Sequence, residues 1–203
     1  LFGGSTVNIN PTEIGALVGL SQHKSSAISI GLEKDSRINR WTPFDGSYWD
    51  MTMTMGDQTE GNKKSLQGNW LISLGSYWPI TSRFSAHTRF LTIGRWVKNG
   101  AIHKGQKIRY GGVNDLRGYR DDQFISNNIL IPTFELVTSS WNNLQLFGFI
   151  ESAVQKEYQP YPIGFGLGLT QISISSILSA TIGFGRDDPL SAAKLHIKFS
   201  SRL

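Results

Sequence analysis

Four histidines, His23, His87, His103 and His196, are the first candidates for metal or proton-transfer chemistry. They lie far apart in sequence and share none of the spacings that bring metal ligands onto one element. The chain has no cysteine, which removes thiolate zinc sites, cysteine nucleophiles and disulfides at once. No Gly-Lys-Ser/Thr loop is present to cradle a phosphate. The run Gly164-x-Gly166-x-Gly168 sits within an alternating apolar stretch, so it is no dinucleotide fingerprint. An outer-membrane protease would need paired Asp and His groups at its rim. His103 with Asp115 or Asp187 is the nearest approach to such a pair, and its spacing gives it no support. We therefore expect neither a catalytic residue, a metal nor a cofactor, and a protein that is not an enzyme.

One segment combines charge, glycine and aromatic groups densely enough to act as a unit. Residues 111–124 read Gly-Gly-Val-Asn-Asp-Leu-Arg-Gly-Tyr-Arg-Asp-Asp-Gln-Phe. The glycines permit a sharply folded backbone. Arg117, between Leu116 and Tyr119, has neighbours that can pack it into an interior. Arg120 beside Asp121 and Asp122 offers local ion pairs. A solvated surface loop with ordinary turn glycines accounts for the same residues.

The elements that must position this segment repeat with period two. Trp49, Met51, Met53 and Met55 alternate with Asp50, Thr52 and Thr54; Ile163, Phe165, Leu167 and Leu169 alternate with Gly164, Gly166, Gly168 and Thr170. Strict alternation argues for strands. Ten are expected, at 13–21, 26–35, 47–57, 67–77, 83–96, 128–138, 143–154, 162–172, 176–186 and 193–203, with residues 1–12 as a lead-in segment. Most run 9–12 residues, the length at which a tilted strand crosses a bilayer, whereas globular strands average about 5–6. Only 17% of the 203 residues are charged, against about 25% in soluble domains. Aromatic residues gather near strand ends. The fold class expected is all-β, an antiparallel transmembrane β-barrel over 13–203 of about ten strands, with eight to twelve possible. A soluble sandwich shares the alternation but not the strand length. The net charge of +5 is scattered, with no run longer than Lys63-Lys64, so nucleic acid is not an expected partner.

Longer links at 58–66, 97–127, 155–161 and 187–192 alternate with short turns, as in barrels whose external loops are long. Link 36–46 breaks that rule. The 31 residues of 97–127 are long for a connection without its own strands or helices, and such loops are usually functional or disordered.

Gly111-Gly112-Val113-Asn114-Asp115-Leu116-Arg117-Gly118-Tyr119 resembles the loop-six signature of the BamA-like outer-membrane assembly and translocation superfamily. That superfamily includes barrel insertases, two-partner secretion transporters and organellar relatives. The resemblance is carried by 108–203; before that it rests on strand pattern. Five strands follow the loop, as in the family. Glu135 lies on the first; on the second Glu151, in Phe149-Ile150-Glu151, stands where the family usually has Asp. The third is the glycine-alternating strand, and Leu195, Ile197, Phe199 and Leu203 are similar to a C-terminal insertion signal. The resemblance implies a loop 97–127 folded into the lumen, with Gly111, Gly112, Leu116, Arg117, Gly118, Tyr119, Arg120 and Phe124 as its motif. Phe149, Glu151 and Glu135 would anchor it to the wall. If Leu144, Leu146 and Ile150 face lipid, then Glu151 faces inward, where the family pattern sets Arg117 against it. An outward loop with Glu151 paired to Arg89 is the alternative.

The resemblance further implies an outer-membrane protein of a Gram-negative type cell that inserts barrel proteins or passes polypeptides across the membrane. Its partners would be the bilayer and an unfolded outer-membrane or secreted polypeptide. Family barrels have more strands and carry POTRA modules, and no such module is expected here; the chain is then expected to be a fragment, a minimal member, or one whose wall a second copy or other barrel completes. A non-translocating structural barrel or passive pore is the alternative function.

Overall fold

A computed structural model describes residues 2–9, 23–60 and 63–201. It contains β1 (Phe2–Ile9), β2 (His23–Asp35), β3 (Gly46–Glu60), β4 (Lys63–Pro79), β5 (Phe84–Val97) and β6 (Ile108–Tyr110). There follow β7 (Phe124–Ser126), β8 (Asn128–Thr138), β9 (Leu144–Ser152), β10 (Ile163–Ile172), β11 (Ser176–Gly185) and β12 (Lys194–Ser201). Ten of them form one antiparallel sheet in the order β1-β2-β3-β4-β5-β8-β9-β10-β11-β12. Strands β6 and β7 form a small hairpin sheet of their own within the long connection after β5.

The two faces of the large sheet follow from the alternation. On one face apolar side chains stand in the open: Ile28 is 68% exposed, Met55 58%, Ile150 51%, Leu167 71% and Phe199 71%. Register continues this face from strand to strand, with Ile28 opposite Met55, Ile150 opposite Phe165, and Leu178 opposite Phe199. A water-soluble sandwich would bury such a face, and soluble monomers rarely expose apolar patches beyond a few hundred Å². No helix is long and apolar enough to cross a membrane. The opposite face carries the only core cluster among the described residues. There Leu91, Ile129 and Ile131 from β5 and β8 pack against Ile108, Tyr110 and Leu116 of the long connection. The long connection after β5 therefore packs onto this face through Ile108, Tyr110 and Leu116.

The sheet's membership differs from the sequence reading in three places. Within the expected lead-in 1–12, residues Phe2–Ile9 form β1 and pair with β2 along their whole length. Its Gly3, Gly4, Thr6 and Asn8 carry no apolar alternation, so backbone pairing alone defines it. The expected strand 13–21 and Leu203 lie outside the described residues. The expected link 58–66 is mostly ladder, with Thr59 opposite Lys64 and Glu60 opposite Lys63. Its polar side chains gave no strand signal because this hairpin runs beyond the apolar band, where Lys64 meets Asp57 at 2.9 Å. Finally, no described strand pairs with the outer edges of β1 and β12, so the sheet is not closed among the described residues.

The link between β2 and β3, which broke the loop-length rule, folds across the short-turn end. Thr42 is buried, and the carbonyl of Pro43 accepts a hydrogen bond at 2.9 Å from Gln145 Nε2 on distant β9.

Candidate functional site

The centre of the inner face is an arginine shared by two carboxylates. Parity puts Glu135 on β8 and Glu151 on β9 on the same inner side, and the β8–β9 register sets Glu151 opposite Thr133, two residues from Glu135. Arg117 Nη2 lies 2.7 Å from Glu135 Oε1 and 2.8 Å from Glu151 Oε2. Its Nε sits 3.2 Å from Glu151 Oε2, so the guanidinium meets that carboxylate with two nitrogens. The main-chain N–H of Arg117 donates to Glu151 Oε1 as well. The guanidinium carbon is 3.8 Å from the ring centre of Phe149, and Phe147 adds a second, looser ring at 5.7 Å. Glu151 is fully buried at its side chain. Such a carboxylate is tolerable only when paired and hydrogen-bonded.

Two carboxylates against one guanidinium leave a formal excess of negative charge. Neutral and basic donors offset it. Thr133 Oγ1 donates to Glu151 at 3.4 Å, and His87 Nδ1 lies 2.7 Å from Glu135 Oε2. His87 is in turn stacked on Tyr77, with ring centres 4.0 Å apart. The cluster thus reaches from the loop through β8 and β9 to β5 and β4.

Flanking residues fix the loop over it. Gly118 has φ +90, and its N–H donates to His196 Nε2 on β12 at 3.3 Å. At Gly164 on β10 an added Cβ would stand 1.9 Å from the carbonyl oxygen of Arg117. That glycine lets the loop backbone lie directly on the wall. Tyr119 OH donates to the Ile163 carbonyl at 3.0 Å and accepts from the Ile163 and Arg186 amides. Phe124 stacks on Tyr110 and meets Tyr119 and Tyr158 edge-on. Leu116 is wholly buried in the core cluster. Burial raises the Asp115 carboxyl above its ordinary range.

The structure therefore brings together Leu116, Arg117, Gly118, Tyr119, Phe124, Glu135, Phe149 and Glu151. Gly111 and Gly112 shape the turn that precedes them. Arg120 stands apart. Its side chain is exposed, and among the described residues no ion pair joins it to Asp121 or Asp122. Its own N–H instead donates to Gln123 Oε1. Arg89 does not take Glu151; its Nη2 reaches the Asp115 carbonyl at 3.5 Å. Leu195, Ile197 and Phe199 lie on the open apolar face, away from the cluster. His87, Tyr77, Thr133 and His196 complete the site and carried no motif in the sequence. Parity alone set His87 and His196 inward, and only the register brings them to it. Among the described residues no group of three acidic or histidine side chains is placed to hold a metal.

No family model and no curated protein matches the chain. Among solved structures the fold is similar to that of CdiB from Acinetobacter baumannii, with a TM-score of 0.60 at 16% identity. The match covers 89% of this chain and 34% of that one, so the chain spans about a third of CdiB's length. At that identity the likeness is one of fold.

Proposed function

We propose that the chain is part of the wall of an outer-membrane β-barrel that passes an unfolded polypeptide across the membrane. The observation that carries this reading is the Arg117–Glu135–Glu151 cluster, which pins an internal loop to the wall through polar contacts. Its ion pairs and hydrogen bonds are exchangeable for water or a passing chain, while Ile108, Tyr110 and Leu116 of the same connection keep it in apolar contact with β5 and β8. The loop-six resemblance centred on Arg117 and the fold likeness to CdiB support the same direction.

The roles follow from the geometry. The open apolar face meets lipid. Glu135, Glu151 and Phe149 receive the loop, and glycine-lined β10 gives an extended backbone a smooth surface. No bond is made or broken, so the mechanism needs no catalytic group. A client in extended form would occupy the same inner surface when the loop shifts, pairing by backbone hydrogen bonds where an edge is free.

The test is deletion of the protein in its own cell, followed by quantification of secreted polypeptides and of folded barrel proteins. Loss of a secreted polypeptide with barrel content unchanged supports translocation. A general fall in folded barrels would move the assignment to insertion, and no change in either would refute both.

A further inference from the structure

Near the long-loop end of the open apolar face is a groove of about 590 Å³ that the loop and its anchors do not touch. Its floor and walls come from Ile28, Met53, Met55, Trp70, Ile72 and Trp96. Two indole rings shape it. Gly68 is paired directly with Trp96, and Trp70 directly with Gly94. A Cβ at Gly68 would come 2.5 Å from Trp96 Nε1, and one at Gly94 would come 2.0 Å from Trp70 Cζ2. Each indole therefore lies flat across the strand over its glycine, and Trp70 Nε1 is held by Thr92 Oγ1 at 3.4 Å. Flat rings make a recessed floor, while Ile28 and Met55, 68% and 58% exposed, rise beside it.

Among the described residues, charge stands at one end of the groove only. Lys98 follows Trp96 by two residues and keeps its face, because its N–H continues the ladder to the Leu66 carbonyl at 2.8 Å. It is exposed and has no ion pair among the described residues. Lys64 lies on the same face but is neutralised by Asp57 at 2.9 Å. Among the described residues the groove is thus an apolar slot capped by one net positive charge, with an indole at the boundary between the two. Tryptophan favours that boundary in membranes.

We infer that this groove is a binding site for a single anionic lipid of the leaflet on the long-loop side, its acyl chain in the slot and its phosphate at Lys98. This rests on the reading of the open face as lipid-facing. One basic group near an anionic surface favours an anionic lipid by about fivefold. Removing Asp57 frees Lys64 and adds a similar factor, whereas removing Lys98 abolishes the preference.

The experiment uses the full chain refolded into vesicles in which brominated phosphatidylglycerol replaces part of brominated phosphatidylcholine. Tryptophan quenching is read against Trp96→Phe to isolate the groove. Wild type should prefer phosphatidylglycerol about fivefold. Lys98→Gln should bring the ratio close to one, and Asp57→Asn should raise it. Both changes lie on exposed side chains, and circular dichroism checks that each variant folds. Quenching in proportion to lipid composition, or a ratio unchanged in Lys98→Gln, would overturn the site while leaving the lipid-facing wall intact. Absence of quenching by brominated phosphatidylcholine would overturn the wall and the site together. Free inorganic phosphate should not compete below millimolar concentration; full competition would reassign the site to small anions.

Discussion

Arg117 meets Glu151 through two side-chain nitrogens and its own main-chain N–H, and Glu135 through Nη2. Removing one partner from such a cluster leaves the other buried and unpaired, which typically costs about 3–5 kcal/mol, less where water enters. Arg117→Ala and Glu151→Ala should each destabilise by about that amount. The double variant should fall short of the sum by more than ~1 kcal/mol, because the second change no longer strands a charge. Chemical denaturation of the four chains measures this, and additivity within about 0.5 kcal/mol would mean the pair contributes no coupling. Arg117→Lys should not rescue it, since a point ammonium cannot span two carboxylates as a planar fork does. Gly164 offers an independent handle. With the Arg117 carbonyl only 1.9 Å from an added Cβ, Gly164→Ala must lift the loop from β10. The expected outcome is faster proteolysis within 97–127 with the sheet still folded.

At the level of elements, the open apolar face explains what the sequence made legible. Strands β10 and β12 show apolar residues at alternate positions because those residues stand on the open face. Leu167, 71% exposed, is the plainest instance. Leu167→Arg should cost about 2–4 kcal/mol if it sits near the midplane, against a much smaller loss for Leu167→Ala; refolding titrations in lipid compare them. Elsewhere the alternation fades. Strand β1 is defined by its backbone pairing with β2, residues 58–60 and 63–65 by theirs with each other, and β6 and β7, three residues each, are too short for a periodic signal. The site divides the same way. Arg117 and Glu151 were accessible through a motif and a parity argument. The contacts of His87 with Glu135 and of His196 with Gly118 depend on register over 48 and 78 residues, which no local pattern encodes. The turn after β11 supplies a pH test. Asp188 is held below its ordinary 3.8 by the Lys194 side chain and the Gly185 amide. A carboxyl lowered on folding contributes stability that is present above its unfolded value and is lost as pH falls through the folded one. The Gly185 amide should therefore keep its protection down to about pH 4 and lose it progressively below. Retained protection in Asp188→Ala, which has no acceptor, would refute this assignment.

For the whole molecule the decisive quantity is the width of the space that the loop occupies. An eight-stranded barrel has an interior just wide enough for side chains, and diameter grows roughly linearly with strand number. Here the inner face holds a hairpin sheet, β6–β7, together with the folded turn at 111–119. Paired strands alone lie about 4.8 Å apart before any side chain is added. A closed ring of the ten sheet strands would leave too little room for this insert beside its wall residues. Among the described residues the sheet instead remains open between β1 and β12. In a bilayer such edges expose N–H and C=O groups that lipid cannot satisfy. We propose that further strands cover them, from a second copy or from another barrel segment. The chain has no cysteine, so introduced thiols report without background. With Ser5→Cys on β1 and Ser200→Cys on β12, oxidation in the membrane should give covalent products between chains and little intrachain disulfide. Efficient intrachain closure with the loop still protected from protease would mean that ten strands do encircle it, and would overturn the argument from width.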